Sequence, residues 1–296
     1  MTRARARATA IGLIAVLLWA LLALFTIGSA PVPPFQLNAM TFAIGGSIGL
    51  VWITASGSWH KLRAVPWYVY AFGTIGLFGY HALYFSALRL APPAEASLIA
   101  YLWPLFIVLF SGLLPNERIG RLHIIGALIA LAGAALIVAP GADGFSGGTG
   151  GLGLILAFLC ALTWSAYSVL SRKLGTTPTQ TVAIFCIATA LLSVPAHLTF
   201  EVTVWPEGAL GWGSIVALGI GPVGLAFYVW DLGVKAGDIQ LLGVVSYAAP
   251  LLSTLVLVAV GAAHASPTLI VSAALIAGGA GLAALGSARI QRRAPR

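Results

Sequence analysis

The sequence predicts an all-α, polytopic membrane protein with ten transmembrane helices, arranged as two inverted five-helix repeats. Three observations predict it. Of the 296 residues, 60% are hydrophobic and 7% are charged, with a mean hydropathy of +1.01. A soluble domain carries about 25% charged residues, so too few charges are present here to cover a water-facing surface. Next, ten apolar runs of roughly the 20 residues needed to cross a hydrocarbon core follow one another with short connections. Finally, the second half of the chain repeats the first at an offset of 146 residues.

The runs fall at 8–28, 36–55, 66–89, 92–113, 119–139, 149–173, 179–200, 208–233, 238–261 and 267–288. The first follows Arg3, Arg5 and Arg7 and precedes Gly28-Ser29-Ala30, which gives it some look of a signal peptide. Its apolar stretch exceeds the roughly 7–15 residues of a signal core, and removing it would leave an unbalanced five-plus-four arrangement, so it is read as a span. The longest connection, at 140–150, reads PGADGFSGGTG. No Gly-Lys-Ser/Thr follows its glycines, as a phosphate-cradling loop would require, and it is read as a flexible linker. The expected organisation is a first repeat at 1–139, a linker at 140–148, a second repeat at 149–288 and a basic tail at 289–296.

The net charge of +8 sits in short clusters between the runs. That pattern sets orientation in a bilayer and gives no ground for a nucleic-acid partner. With the N-terminus in the cytoplasm and the spans alternating, Arg89 alone of the 15 Lys and Arg falls outside. The expected location is the inner (cytoplasmic) membrane, with both termini cytoplasmic. Cys160 and Cys186 lie inside apolar runs and are read as buried thiols. No metal-ligand spacing, cofactor motif or His-Glu-x-x-His is present, so the sequence points to neither an enzyme nor a cofactor.

The repeat is carried by few residues. Tyr101-Leu102-Trp103-Pro104 aligns with Tyr247-Ala248-Ala249-Pro250, the connection at Arg89 with Lys235, and Gly133 with Gly279. Five spans is an odd number, so the second copy enters the membrane from the opposite side, as in many secondary transporters. The stretch Ala87-Leu88-Arg89-Leu90-Ala91-Pro92-Pro93-Ala94-Glu95-Ala96-Ser97, with Tyr101-Leu102-Trp103-Pro104-Leu105 and Glu117-Arg118, resembles the drug/metabolite transporter superfamily and its EamA family over nearly the whole chain. Within it, Tyr80-His81-Ala82-Leu83-Tyr84 and the Tyr-Leu-Trp-Pro segment resemble an aromatic amino acid exporter branch. The resemblance implies a central cavity between the two repeats and a small-molecule substrate. It departs at Ala262-Ala263-His264, where the family often carries a glutamate, so that position transfers no role.

Candidate substrate-binding residues come from deep polar and aromatic side chains. Tyr80 and Tyr84 share one face of the third span, with His81 beside them. His81 either lines a cavity or packs against a neighbouring helix; ionisable groups inside a membrane are more often functional. Tyr101 and Trp103 flank Pro104, where a kink would bring both toward one lumen. The sixth span offers Trp164, Tyr167 and Ser168, and the eighth and ninth offer Trp230 and Tyr247. Each tyrosine or tryptophan pairs a flat apolar face with a polar tip, which suits a solute site. Trp19, Trp59, Trp67, Trp205 and Trp212 fit interface anchors instead. Pro104 and Pro250, at equivalent positions, are candidate hinges. Gly45, Gly49, Gly73, Gly76 and Gly79 allow close helix contacts.

The expected function is alternating-access export of amino acids, aromatic and other neutral ones, or similar metabolites; substrate class and direction come from the resemblance. Rivals are a multidrug or other metabolite carrier, a channel and an intramembrane enzyme. A monomer is compatible with this reading. None of the seven acidic residues falls at the midplane: Glu95 is placed near Arg89, and Asp231 pairs with Lys235 at i,i+4. His81 is then the only deep titratable group, and the expectation is facilitated diffusion without a coupled proton.

Overall fold

A computed structural model describes residues 3–115, 117–138, 151–264 and 266–293. The linker at 140–148, with Asp143, and the final residue Arg296 lie outside these. Among the described residues all regular structure is helical. The helices are α1 (Arg3–Trp19), α2 (Leu22–Gly28), α3 (Pro34–Ala55), α4 (Trp59–Arg63), α5 (Trp67–Leu90), α6 (Pro93–Ala100), α7 (Trp103–Ser111) and α8 (Arg121–Val138). They continue with α9 (Gly151–Lys173), α10 (Thr181–Phe200), α11 (Gly208–Ile220), a π-helical turn (Gly221–Leu225), α12 (Ala226–Ala236), α13 (Ile239–Val245), α14 (Ala248–Ala259) and α15 (Pro267–Arg293).

Seven helical stretches are long and apolar enough to cross a membrane, counting α1–α2, α11–α12 and α13–α14 as one each. Two more, Glu95–Ser111 and Arg121–Leu136, are apolar but shorter. α5 has 24 residues and carries four tyrosines and a histidine.

Several runs that read as continuous are broken. The fourth run divides at Tyr101-Leu102 and the ninth at Ser246-Tyr247. Pro104 and Pro250 sit in the first turn of the helix that follows each break, where a missing N–H costs nothing. The prolines therefore start new helices and do not kink old ones. In the eighth run Pro222 lacks an N–H and would clash with the preceding turn, and the chain widens into the π turn. The first run divides at Ala20-Leu21, where the Leu21 N–H tightens onto the Leu18 carbonyl.

The helices pack in pairs that cross between the two halves of the chain: α1 on α12, α5 on α9, α3 on α10, α7 on α13 and α8 on α15. Glycines set the closest approaches. A Cβ on Gly126 would lie 2.5 Å from the Gly279 carbonyl oxygen, and one on Gly133 would lie 3.0 Å from that of Ser272. At the 146-residue offset, Gly126 corresponds to Ser272 and Gly133 to Gly279, so these two contacts are equivalent across the repeat. Between α1 and α12 a Cβ on Gly12 would lie 2.8 Å from the Gly233 Cα.

Charges gather at the two ends of the bundle. At one end Glu201 accepts from the Phe35 and Gln36 N–H groups, the first turn of α3, and pairs with Arg89 at 2.6 Å and with His197 at 2.9 Å. A carboxylate there satisfies orphan donors and meets the positive end of the helix dipole. Arg89 therefore pairs with Glu201 and not with Glu95, as its place in the sequence suggested. At the other end Glu117 binds Arg5 (3.1 Å), Arg172 and Gln240. Arg172 also donates to the Val234 and Gly237 carbonyls. Asp231 pairs with Lys235 at 2.9 Å, as its spacing predicted.

Candidate functional site

Between these ends the helices bring together a cluster of aromatic rings. Trp164 on α9 is its centre. Its ring lies 6.0 Å from Trp19, 6.3 Å from both Trp103 and Trp230, 5.2 Å from Tyr80, 5.3 Å from Tyr167 and 5.7 Å from Phe227. Five helices supply these rings. Helical spacing on α9 explains part of this: Trp164, Tyr167, Ser168 and Ser171 recur at three- and four-residue steps on one buried face. Gly76 on α5 leaves room for Tyr167, since a Cβ there would lie 2.4 Å from its ring.

The cluster runs on along α5. Tyr80 stacks with Tyr84 at 6.2 Å and 3°, and His81 meets Tyr80 and Phe42 edge-on at 5.1 and 5.0 Å. Phe42 stacks on Phe227, and Phe85 meets Phe35 near the Glu201 end. Burial changes along this track. Tyr80, His81, Tyr84 and Phe85 are half-buried, whereas Trp230, Val234 and Leu242, toward the Glu117 end, expose no surface.

The polar tips divide into spent and unspent groups. The Trp230 indole donates to Ser168 Oγ at 3.1 Å, the Trp19 indole to the Pro222 carbonyl at 3.2 Å, and the Tyr84 hydroxyl lies 3.3 Å from Ser97 Oγ. The Tyr80 and Tyr101 hydroxyls and the Trp103 and Trp164 indole N–H groups have no hydrogen-bond partner among the described residues. None of them is sealed within the packing, so each reaches space that no protein group fills.

His81 Nδ1 lies 2.7 Å from the Leu77 carbonyl oxygen. A carbonyl can only accept, so Nδ1 carries the proton and Nε2 of the neutral ring presents a lone pair. Nε2 has no protein partner among the described residues. The track thus offers donors on four side chains, one acceptor and several π faces. Among the described residues no carboxylate or Lys is hydrogen-bonded or paired to any of its rings, and the Arg contact, Arg89 over Phe35 at 5.8 Å, lies at its Glu201 end.

Of the sequence candidates, Tyr80, His81, Tyr84, Trp103, Trp164, Tyr167 and Trp230 meet in this cluster, and Ser168 joins through Trp230. Tyr101 forms no ring pair with the cluster but lies within electrostatic reach of Tyr80 and Tyr84, and its hydroxyl has no hydrogen-bond partner among the described residues. Tyr247 is elsewhere. It exposes no surface, and its hydroxyl accepts the Leu105 N–H at 3.1 Å, so in this conformation it caps a helix and faces no open space. Trp19 is the converse correction: it is no interface anchor but touches Trp103, Trp164 and Trp230. Its place at the middle of the run 8–28 was the available signal. Phe42 and Phe227 had no such signal, because a phenylalanine in an apolar run looks like any other. Trp59, Trp67, Trp205 and Trp212 are exposed. Cys160 and Cys186 are free and buried.

Long apolar helices wrapped around an uncharged aromatic interior with unspent donors define a multi-pass membrane protein able to hold a small solute. The chain belongs to the EamA-like transporter family, whose model matches it twice, at residues 7–139 and 151–285. It is thus a transporter and not an enzyme. The chain is 53% identical over 282 residues to the aromatic amino acid exporter YddG of Ancylobacter novellus, covering 95% of this chain and 98% of that one. It is 26% identical over 264 residues to the exporter of the same name from Escherichia coli strain K12, covering 84% and 87%. A solved crystal structure superposes with a TM-score of 0.91 at 53% identity, covering 97% of this chain and 99% of the other.

Proposed function

We propose that this protein exports amino acids with aromatic and other neutral side chains across the inner membrane by alternating access. The observation that carries the reading is the uncharged aromatic track with unspent polar tips. A flat side chain can stack on Trp164 and Tyr80. A zwitterion's ammonium can meet the His81 Nε2 lone pair and the π faces, and its carboxylate the Tyr80, Tyr101, Trp103 and Trp164 donors. The substrate names of the relatives point the same way.

The ten-span reading adds α5 and the two shorter helices to the seven longer ones. The inverted repeat, 1–139 against 149–288, is supported by the helix pairing. α1 on α12 and α9 on α5 are equivalent under exchange of the halves, and the α3–α10 and α8–α15 pairs each map onto themselves. Orientation follows the charges, placing the Glu117 end in the cytoplasm and the Glu201 end outside. In that frame the site in this conformation is closed toward the cytoplasm. A cytoplasm-only reporter fused after Arg296 is expected to be active. Activity confined to a periplasm-only reporter would remove both the orientation and the count.

Transport is facilitated diffusion in this reading, because the ion-paired carboxylates sit at the ends of the bundle and His81 serves as a hydrogen-bond acceptor. Proteoliposomes preloaded with one aromatic amino acid are expected to exchange it, saturably, for others in a panel. An imposed pH gradient without a substrate gradient should drive no accumulation. Absence of counterflow for every amino acid, with flux of an unrelated solute, would overturn the substrate class. Uphill accumulation abolished in His81→Gln would make His81 a proton carrier.

A further inference from the structure

The two broken helices share a sequence register but start one residue apart. α14 opens at Ala248 with Tyr247 as its N-cap, so Leu251 is its fourth residue, the position whose N–H makes the first backbone bond of a regular helix. α7 opens at Trp103, the equivalent of Ala249, so Leu105 is its third residue and its N–H has no partner within the helix. An N–H left bare in an apolar interior is costly. The Tyr247 hydroxyl meets it at 3.1 Å from a fully buried side chain. Tyr101 is the repeat equivalent of Tyr247. Its hydroxyl has no partner among the described residues, and its side chain is half-buried.

We propose that Tyr247 is a positioning residue that holds the α6–α7 break through the Leu105 amide in this conformation, and that Tyr101 takes the Leu251 amide in the opposite-facing one. The two tyrosines exchange the capping and the open role. This rests on the carrier reading above. In a transporter built from two inverted copies, the second conformation arises as the halves move against one another around a fixed site. Exchange of the one-residue offset between α7 and α14 moves the orphan N–H from Leu105 to Leu251. The hydroxyl related to it by the repeat is then that of Tyr101. In this conformation the Tyr247 bond keeps Trp103 against Trp19, Trp164 and Trp230, and Tyr101 stands free.

Two cysteine reporters read the exchange, placed singly in a Cys160→Ala/Cys186→Ala background. Ser97→Cys, beside Tyr84, reports the half-buried side. Ser171→Cys, 4% exposed on the Trp164 face of α9 toward Lys173, reports the closed side. Maleimide labelling rates are measured on purified protein without substrate, beside its melting temperature. Tyr247→Phe keeps the ring and removes only the oxygen. It is expected to raise labelling at position 171 and lower it at 97, changing the ratio of the two rates by about five-fold, the shift in equilibrium for one lost hydrogen bond. Tyr101→Phe is expected to shift both rates the other way. Shifts in the same direction for both variants, or in neither, overturn the exchange. If Tyr247→Phe does not accumulate, the Tyr101→Phe arm decides, and no opposite shift there overturns it. Failure of amino acid counterflow with these labelling shifts intact would refute the substrate reading alone.

Discussion

Replacing Trp164 with alanine is expected to reduce saturable amino acid counterflow roughly ten-fold or more, the equivalent of about 1.4 kcal/mol of lost solute contact. Trp164 touches six other aromatic rings and carries an indole N–H with no described acceptor. The substitution removes the stacking surface and a donor together. A buried Trp→Ala change also costs about 3–5 kcal/mol in a core, so abundance in the membrane and melting temperature must be measured beside transport. Trp164→Phe separates the two effects. It keeps a ring in the cluster and loses the donor, and is expected to raise the apparent KM with little change in abundance. Wild-type counterflow by a folded Trp164→Ala protein would make the cluster a packing core and nothing more.

The largest structural effect is expected at Gly279. A Cβ there would lie 2.4 Å from the Gly126 carbonyl oxygen and 3.0 Å from the Ala130 backbone nitrogen, and backbone cannot swing aside as a side-chain tip can. Gly279→Val is therefore expected to separate α8 from α15 and remove most folded protein from the membrane. Overpacking alone costs about 1–3 kcal/mol, and here it falls on the one helix pair that α8 and α15 share. Gly278→Val is the control, since a Cβ at Gly278 meets nothing within 4 Å. It is expected to accumulate and melt as wild type. Equal accumulation of both variants by detergent-phase gel filtration would show that the α8–α15 contact is looser than its geometry implies.

The path from sequence to site was uneven. Apolar run length located the helices, because the bilayer imposes one length on every span. Tyr80, Tyr84 and His81 could be placed on one helix stretch because their separation is local. The breaks at Tyr101-Leu102 and Ser246-Tyr247 were signalled only by their prolines, and the signal misled in detail: each proline opens the second helix instead of bending a single one. Trp19 was missed because a tryptophan in an apolar run has two common uses, and spacing within its own helix does not choose between them. Its contacts come from α7, α9 and α12, far away in sequence. Tyr247 failed in the opposite sense. Its type and depth matched a solute site, yet its hydroxyl is spent on an amide 142 residues away.

The sequence by itself determined that the chain is a many-span helical membrane protein with a doubled design. Composition, run length and the 146-residue register follow from the solvent and from local chemistry, and need no knowledge of what touches what. Only the tertiary structure decided which aromatic tips are spent and which are free, that Glu201 answers Arg89 and the start of α3, and that Glu117 closes the other end between Arg5 and Arg172. Those outcomes depend on pairs of groups brought together by helix packing. The glycine approaches that set the packing become visible only when the facing backbone is known.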